Sequence, residues 1–479
     1  MSQLKHDVAV RAVKALDPVL LTLPFAAAWF AYYASRLASP FYYWGNWVVV
    51  GLFFLLYITF CRIYDGFLFS TMRISELVYS QALAALISNG VLYIVLCLLS
   101  KRLANLLPLL LVMGLQVAFA ALWSFLSHQW YFGKYPPSRS AIIYDAREGL
   151  ERLVQEYGLE KKFKIYVAMT IQQALANKED LANMETVFLS GIHSHDRNIL
   201  LKYCVEHDIT VYVIPRIGDV LMSGAHTMHL FHLPMLRVGR YHPSPIYLLL
   251  KRGFDILVSG LATILLSPVF IGTAIAIKSH DHGPVFYKQK RLTKDGKVFE
   301  VLKFRSMRVD AEKDGVARLS TGDKDDRITP VGRFIRKVRI DELPQLLNIL
   351  KGDMTICGPR PERPEIAAQY EEDLPEFRLR LQAKAGLTGY AQVYGKYNTT
   401  PYDKLVMDLM YIAHPSFLQD LQIMFATVKI LFMKESTEGV AEGQRTASSV
   451  EREKSAGDEE GSCLCQSPPR AFPRGKPLP

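Results

Sequence analysis

The hydrophobic positions of this chain are gathered into blocks. Four apolar runs fill the first quarter, roughly Val19–Tyr33, Trp47–Phe60, Leu77–Leu99 and Leu103–Leu126. The last two are long enough to span a bilayer as helices, which takes about 20 residues. The first two are shorter and borrow flanking aromatics, Tyr42, Tyr43, Trp44 and Trp47, which suit the membrane interface. Their clustering favours transmembrane helices over buried soluble ones. In a four-span arrangement Lys5, Arg11, Lys14, Arg62, Arg73, Lys134 and Arg139 fall on one side, and Arg36, Lys101 and Arg102 on the other. The positive-inside rule then places both ends of residues 1–135 in the cytoplasm.

After Pro136-Pro137 the pattern shortens. Ser140–Tyr144, Lys164–Ala168, Thr186–Ser190 and Thr210–Ile214 read as strands, with helical patterns at Glu148–Tyr157 and Arg197–His207. Alternating strands and helices predict a small parallel Rossmann-like α/β domain over residues 138–235. The first strand leads into Asp145–Gly149 with no G-x-G-x-x-G, so a structural or oligomerising role is expected there, not nucleotide binding. The histidines at 193, 195, 207, 226, 229 and 232 have no metal-type spacing.

A fifth apolar run, Phe254–Ile277, follows Lys251-Arg252 and is broken in its middle by Ser267-Pro268. Proline removes a helical hydrogen bond, so a kink is expected. Parity then matters. A full fifth span would export everything downstream, whereas a helix over 250–280 that enters, bends at Ser267-Pro268 and returns keeps the rest inside. The re-entrant form is the expected one. Residues 281–434 read as a basic α+β domain. It has a hairpin around Asp295-Gly296, a charged loop over Glu312–Asp326, and helices at Ile340–Leu350, Glu365–Leu381, Lys404–Tyr411 and Leu418–Met433. The last is apolar enough to lie against the membrane. The tail, 435–479, is rich in Glu, Ser, Gly, Arg and Pro and is expected to be disordered.

Composition narrows the partners. The chain has 479 residues, 50% of them hydrophobic, and a net charge of +10. That balance suits nucleic acid, anionic headgroups or phosphorylated substrates. The apolar blocks favour the last two, and the cations are interleaved with acids without a stacking platform, so no nucleic acid is expected. The six cysteines are scattered, and Cys463-x-Cys465 reads as incidental, which suits free thiols in a reducing compartment.

Chemistry concentrates in Arg336–Pro361, R-K-V-R-I-D-E-L-P-Q-L-L-N-I-L-K-G-D-M-T-I-C-G-P-R-P. Two adjacent carboxylates, Asp341 and Glu342, follow a run of cations, and Arg360 comes later in a Pro-rich turn. An acid pair among arginines suits phosphate chemistry, because guanidinium groups orient the anion while a carboxylate attacks phosphorus or holds a metal. The bland alternative is an acid pair favoured by a helix start.

The flanking strings decide between them. K-R-G-F-D at 251–255, G-P-V-F-Y-K-Q-K-R at 283–291, K-F-R-S-M at 303–307 and D-R-I-T-P-V-G-R-F-I-R-K at 326–337 stand in order before I-D-E-L-P-Q-L at 340–346. G-D-M-T-I-C-G-P-R-P at 352–361, G-L-T-G-Y-A-Q-V at 386–393 and K-L-V-M-D-L-M-Y at 404–411 complete the set. Together they resemble the bacterial sugar transferase family, the polyprenyl-phosphate hexose-1-phosphate transferases among the monotopic phosphoglycosyl transferases. The layout is similar to the long form with four N-terminal spans. Two positions depart from the family pattern: Ala385 stands where proline is usual, which should loosen that turn, and Cys357 stands where an aliphatic residue is usual.

The resemblance implies a multi-pass protein of the bacterial cytoplasmic (inner) membrane with its catalytic domain on the cytoplasmic face. It implies transfer of hexose 1-phosphate from a UDP-sugar, UDP-glucose or UDP-galactose, to undecaprenyl phosphate with release of UMP and with Mg²⁺, initiating exopolysaccharide or capsule synthesis. Asp341 matches the nucleophile that carries a covalent phosphosugar, and Glu342 its partner acid. Arg336, Arg360, Arg305 and Lys303 are the expected phosphate ligands. Gly386, Leu387, Thr388, Gly389 and Tyr390 are expected to shape the nucleotide pocket, and Asp408 to help hold metal or substrate. For Asp408 the plain alternative is an i,i+4 pair with Lys404. Lys251 and Arg252 are expected among lipid phosphates. The competing class is a non-catalytic membrane scaffold of a polysaccharide assembly. No pattern fixes the oligomeric state, and a homodimer stays open.

Overall fold

The computed structural model describes residues 2–145, 149–309, 327–395 and 399–431. The expected charged loop at 312–326 and the tail 435–479 lie outside the described residues. The chain divides into two compact units, residues 1–239 with 413–433, and residues 240–412 with 434–479.

The first unit begins with a bundle of four helices: α1 (Ser2–Ala28), α2 (Gly45–Ile63), α3 (Ile74–Ser100) and α4 (Leu107–Lys134). Three of them, α2 to α4, are each long and apolar enough to cross a membrane. The apolar part of α1 runs on through a π-helical turn at Trp29–Tyr33, while its first half carries Arg11, Lys14 and Asp17. The bundle is apolar both outside and in, with a core built from Leu21, Phe25, Trp29, Phe53, Tyr57 and Leu92 and a few polar side chains set into it. Gln81, Ser88, Asn89, Gln116 and Ser124 are buried, while Leu55, Leu86, Ile94, Leu98, Leu111 and Leu122 face outward. A hydrocarbon surround accounts for the exposed leucines and for where the polar groups sit, because apolar side chains lose nothing in it and polar ones must find partners within the protein. Asn89 Nδ2 donates to Gln116 Oε1 at 2.6 Å, and Gln116 Nε2 donates to the carbonyl of Leu21 at 3.0 Å. Helix α1 contains Pro18 and Pro24, whose missing N–H groups disturb the backbone ladder nearby.

The α/β part holds β1 (Ser138–Tyr144), β2 (Phe163–Thr170), β3 (Thr186–Ser190) and β4 (Thr210–Val213) in one sheet of order β2-β1-β3-β4. All its pairings are parallel. Helices α5 (Leu150–Glu156), α6 (Ile171–Ala176), α7 (Ser194–Glu206) and α8 (Ile217–Ser223) connect and follow the strands. Ala141, Ile143, Val187 and Leu189 form the buried centre of the sheet. Of the expected loop Asp145–Gly149, residues 146–148 lie outside the described residues. A hairpin absent from the sequence reading, β5 (His226–Leu230) and β6 (Leu233–Arg237), turns through Phe231 and His232, both at positive φ.

The second unit opens with α9 (Pro245–Leu265) and α10 (Ser267–Asp281), bent by 59° at the break. Pro268 sits in the first turn of α10, where its missing N–H costs no helical bond, and Ser267 Oγ donates to the Ile264 carbonyl at 2.7 Å. Strands β7 (Phe286–Leu292) and β8 (Val298–Phe304) form an antiparallel hairpin whose turn uses Asp295 and Gly296 at positive φ. Then come α11 (Pro330–Lys337), α12 (Gln345–Lys351), β9 (Thr355–Cys357), α13 (Pro364–Asp373), β10 (Gly386–Thr388), α14 (Tyr390–Tyr394) and α15 (Pro401–Ala413).

Two expectations are corrected. Ile340–Leu350 is not one helix: a 3₁₀ turn at Ile340–Glu342 precedes α12, and Pro344 separates them, because proline has no N–H to give the carbonyl four residues back. Glu365–Leu381 is likewise divided at Leu374-Pro375 into α13 and a 3₁₀ segment. Helix α16 (Phe417–Leu431) packs within the first unit, where the Phe425 ring meets Phe60 at 4.9 Å and Lys429 Nζ donates to the Tyr64 carbonyl at 3.1 Å.

Candidate active site

Arg339 adopts a left-handed conformation at φ 59° and turns the chain sharply after α11, so Asp341 and Glu342 sit on a tight turn beside the end of β8. Glu342 is the hub of the cluster. Its Oε1 accepts from Arg360 Nη2 at 3.0 Å and from Lys303 Nζ at 3.4 Å, and its Oε2 lies 3.9 Å from Arg339 Nη1. Burial alone would push the Glu342 carboxyl up, but Arg360, Lys303 and Arg339 outweigh it and hold it well below the usual carboxylate range. Burial lowers the Lys303 ammonium, partly offset by Glu342.

Asp341 is treated differently by the same surroundings. Burial and the neighbouring Glu342 charge raise its carboxyl, while Lys303, Arg336 and Arg339 pull the other way. Its Oδ1 is buried with no hydrogen-bond partner. An ionised acid locked to cations stands next to one whose oxygen is unengaged. Such a separation of two neighbouring acids marks distinct roles.

The Pro-rich turn that carries Arg360 is held by backbone packing and buried charge. Strand β10 pairs parallel with β9, Gly358 N donates to the Thr388 carbonyl at 2.9 Å, and Gly386 N to the Pro359 carbonyl at 2.9 Å. A Cβ on Gly358, Gly386 or Gly389 would collide with backbone atoms of the facing segment. Gly386–Tyr390 thus lies directly behind the Arg360 turn. Ala385 N–H donates to Thr293 Oγ1 at 3.1 Å. A proline there could not make this bond, so the departure at 385 ties the turn instead of loosening it. The buried Cys357 accepts from Tyr411 Oη at its carbonyl, 3.0 Å.

The structure brings Asp341, Glu342, Lys303 and Arg360 together, with Arg336 near enough to act on Asp341. Arg305 points elsewhere: it pairs with Asp281 and packs its guanidinium against Gly283. Asp408 is 1% exposed and ion-paired at 2.6 Å with Arg380, so Arg380 displaces the simple Lys404 alternative. Arg380 Nη2 also donates to the Arg360 carbonyl at 2.9 Å, and its Nη1 lies 3.8 Å from Glu362 Oε1. Arg291 adds a bond to the Pro361 carbonyl at 2.9 Å and an ion pair with Glu362 at 3.5 Å. Sequence reasoning missed Arg380, Arg291 and Glu362 as site residues; Arg291 closes the string at 283–291 and Glu362 follows G-P-R-P, whereas Arg380 carried no signal. Lys251 and Arg252 are not free among headgroups: Lys251 Nζ reaches Tyr411 Oη at 3.0 Å, and Arg252 donates to the carbonyls of Ile349 and Leu350 at 2.6 and 2.8 Å.

An apolar helical bundle joined to mixed α/β and α+β parts defines a membrane protein of mixed fold, and the acid pair set among cations is its candidate site. The sequence model of the family described as bacterial sugar transferase matches residues 246–434. The chain is 40% identical over 190 residues to the exopolysaccharide production protein PSS of Rhizobium leguminosarum bv. phaseoli, covering 38% of this chain and 94% of that protein. It is 38% identical over 234 residues to UDP-N-acetylgalactosamine-undecaprenyl-phosphate N-acetylgalactosaminephosphotransferase of Aeromonas hydrophila, covering 48% of this chain and 54% of the relative. It is 32% identical over 299 residues to the UDP-glucose:undecaprenyl-phosphate glucose-1-phosphate transferase of Escherichia coli K12, covering 61% and 60%. The chain belongs to the bacterial sugar transferase family, and its N-terminal apolar helices fit the long form. The matched stretch spans a little over half the length of the Aeromonas and Escherichia relatives.

Proposed function

We propose that this protein transfers hexose 1-phosphate from a UDP-sugar to undecaprenyl phosphate and releases UMP, opening the synthesis of an exopolysaccharide or capsule. The observation that carries the reading is the Asp341 Oδ1 atom, buried and unpartnered beside a carboxylate that gathers Lys303 and Arg360. Such an oxygen is available to phosphorus, and the neighbouring cations offset the repulsion between two anions.

Asp341 attacks the phosphorus that bears the sugar. An aspartyl O–P bond forms, the bond to the second phosphate breaks, and its electron pair leaves with UMP. An oxygen of undecaprenyl phosphate then attacks the same phosphorus and frees Asp341. Glu342 keeps Lys303 and Arg360 aimed at the departing phosphate, and Arg336 adds positive charge from the end of α11. Gly386–Tyr390 shapes the nucleotide side by holding the Arg360 turn. Asp408 acts behind the site through Arg380, and Arg305 braces the end of α10 through Asp281.

Among the described residues no three His, Cys, Asp or Glu side chains gather to cage a metal. Asp341, whose Oδ1 has no hydrogen-bond partner, is the residue that would hold Mg²⁺ here, a hard cation that takes oxygen ligands. When bound, it supplies neutralisation of the charge that grows on the leaving phosphate.

The bent α9–α10 pair is a re-entrant anchor, which keeps the dyad on the cytoplasmic face of the inner membrane, at the level of the acceptor's phosphate. The relatives' names span glucose and N-acetylgalactosamine donors, with glucose or galactose the hexoses expected here. UMP release from UDP-glucose, UDP-galactose and UDP-N-acetylgalactosamine selects the donor. With label in the sugar-bearing phosphate and no lipid acceptor, radioactivity should stay on the wild-type protein and be absent from Asp341→Asn, whose fold is intact. Wild-type turnover by Asp341→Asn would sink the assignment and favour the scaffold reading.

A further inference from the structure

The two limbs of the dyad site both rest on one membrane-anchor helix. The first limb carries Asp341 and Glu342 and continues through Pro344 into α12. At the far end of α12, Arg252 from α9 donates to the carbonyls of Ile349 and Leu350. Both carbonyls belong to the last helical turn, where the helix's own donors run out, and the Ile349 carbonyl also accepts from Gly352 N–H at 3.0 Å. The second limb is β9, which leads through Gly358 and Pro359 to Arg360. Asp255, one turn along α9 from Arg252, takes both of its bonds there: Thr355 Oγ1 donates to Oδ2 at 2.6 Å, and Ile356 N–H donates to Oδ1 at 3.1 Å. Lys251 reaches the same strand indirectly, through Tyr411 Oη and the Cys357 carbonyl.

We infer that Arg252 and Asp255, assisted by Lys251, are positioning residues: the membrane helix α9 registers the 341–342 turn and the Arg360 turn against each other, and so sets the Glu342–Arg360 contact from the anchor itself. This rests on the reading of the dyad as a phosphosugar transfer site and goes beyond it, because it gives the anchor a part in chemistry as well as in location.

The bonding pattern favours this over ordinary packing. Three of the four receiving groups are main-chain atoms, so neither α12 nor β9 can replace the contact with a side chain of its own. Asp255 is 4% exposed and both its oxygens are engaged, which fixes its orientation. Removing it orphans a buried backbone N–H, and the strand must shift to recover a partner. A displacement near 1 Å at a reacting site costs up to about a hundredfold in rate.

The test uses the full chain in phosphatidylglycerol–phosphatidylethanolamine vesicles with undecaprenyl phosphate, following UMP release from the donor the wild type accepts. Asp255→Leu keeps the bulk and loses both acceptors; its kcat should fall about ten- to a hundredfold. Asp255→Asn keeps a carbonyl for Ile356 N–H and should recover to within about fivefold of wild type. Asp255→Leu combined with Arg360→Lys should be no slower than the worse single variant, because the first acts through the second. A merely structural role would multiply the two losses. Independently of activity, Asp255→Leu should raise hydrogen exchange in peptides covering 339–343 and 358–362. Unchanged exchange, multiplying losses or a wild-type kcat for Asp255→Leu would each overturn the inference. A wild type inactive on all three donors would instead overturn the transfer reading, leaving the exchange measurement to decide the role of α9.

Discussion

The Arg380–Asp408 pair offers a sharp separation of stability from catalysis. Both side chains are almost fully buried, at 4% and 2% exposure, and meet at 2.6 Å. Asp408→Asn leaves the Arg380 guanidinium charged without its partner. Breaking such a pair costs about 3–5 kcal/mol. For a unit the size of residues 240–412, that is a fall of roughly 6–20 °C in Tm. Replacing both members by apolar residues, Arg380→Met with Asp408→Leu, removes the stranded charge and should restore most of the melting temperature. It should not restore turnover, since the bond from Arg380 Nη2 to the Arg360 carbonyl is gone as well. A hydrogen bond from a charged group contributes ~1.5–3 kcal/mol, equivalent to roughly 10- to 150-fold in rate if it is spent on placing Arg360. The assay pairs thermal unfolding in detergent with UMP release from the same preparations. If Asp408→Asn melted like wild type yet lost turnover, Asp408 would be touching substrate or metal and the argument through Arg380 would fail. A double variant that regained both properties would show that Arg380 does not place Arg360.

Three further outcomes follow from the same geometry. Glu342→Gln should lower Tm at neutral pH, and the gap from wild type should narrow as pH falls from about 5 toward 3. A carboxyl held well below its unfolded value of ~4.3 stabilises fully above that value and loses the contribution progressively as pH falls below it toward the folded one; thermal melts across that range check it, and a constant gap would refute it. Gly389→Ala forces a Cβ into the Gly358 carbonyl, so the Arg360 turn should shift and UMP release should drop at least about tenfold, with a wild-type rate as the contrary result. On the proposed role of Mg²⁺, chelation with EDTA should abolish UMP release and Mg²⁺ should restore it, while the Tm stays within about 2 °C, because no three His, Cys, Asp or Glu side chains among the described residues gather to cage an ion; a large fall in Tm on chelation would point to a structural metal.

What could be read from the sequence was what neighbours in the chain decide. The apolar periods of α2–α4, the strands β1–β4, the Asp295-Gly296 turn and the Ser267-Pro268 break are set by residues a few positions apart. The turn through Phe231 and His232 was not legible, since positive φ at such residues carries no Gly or Asn signal. Nor was the shape of the acid pair, because a helical period ran across Pro344 and hid the 3₁₀ turn. The partners of Arg360 were farther out of reach: Glu342 lies 18 residues away and Arg380 lies 20, and nothing in their spacing says that one meets the guanidinium and the other the carbonyl. The motifs named Lys251, Arg252 and Asp255, yet a cation beside an apolar run reads as a headgroup ligand until the carbonyls it satisfies are seen. Family motifs record which residues are required; only the backbone atoms they bond to separate a group that reacts from one that holds the reacting group in place. By that criterion Asp341, the proposed nucleophile, has the unengaged oxygen that the first kind requires, while Asp255 and Asp408 have their partners in hand, as the second kind does.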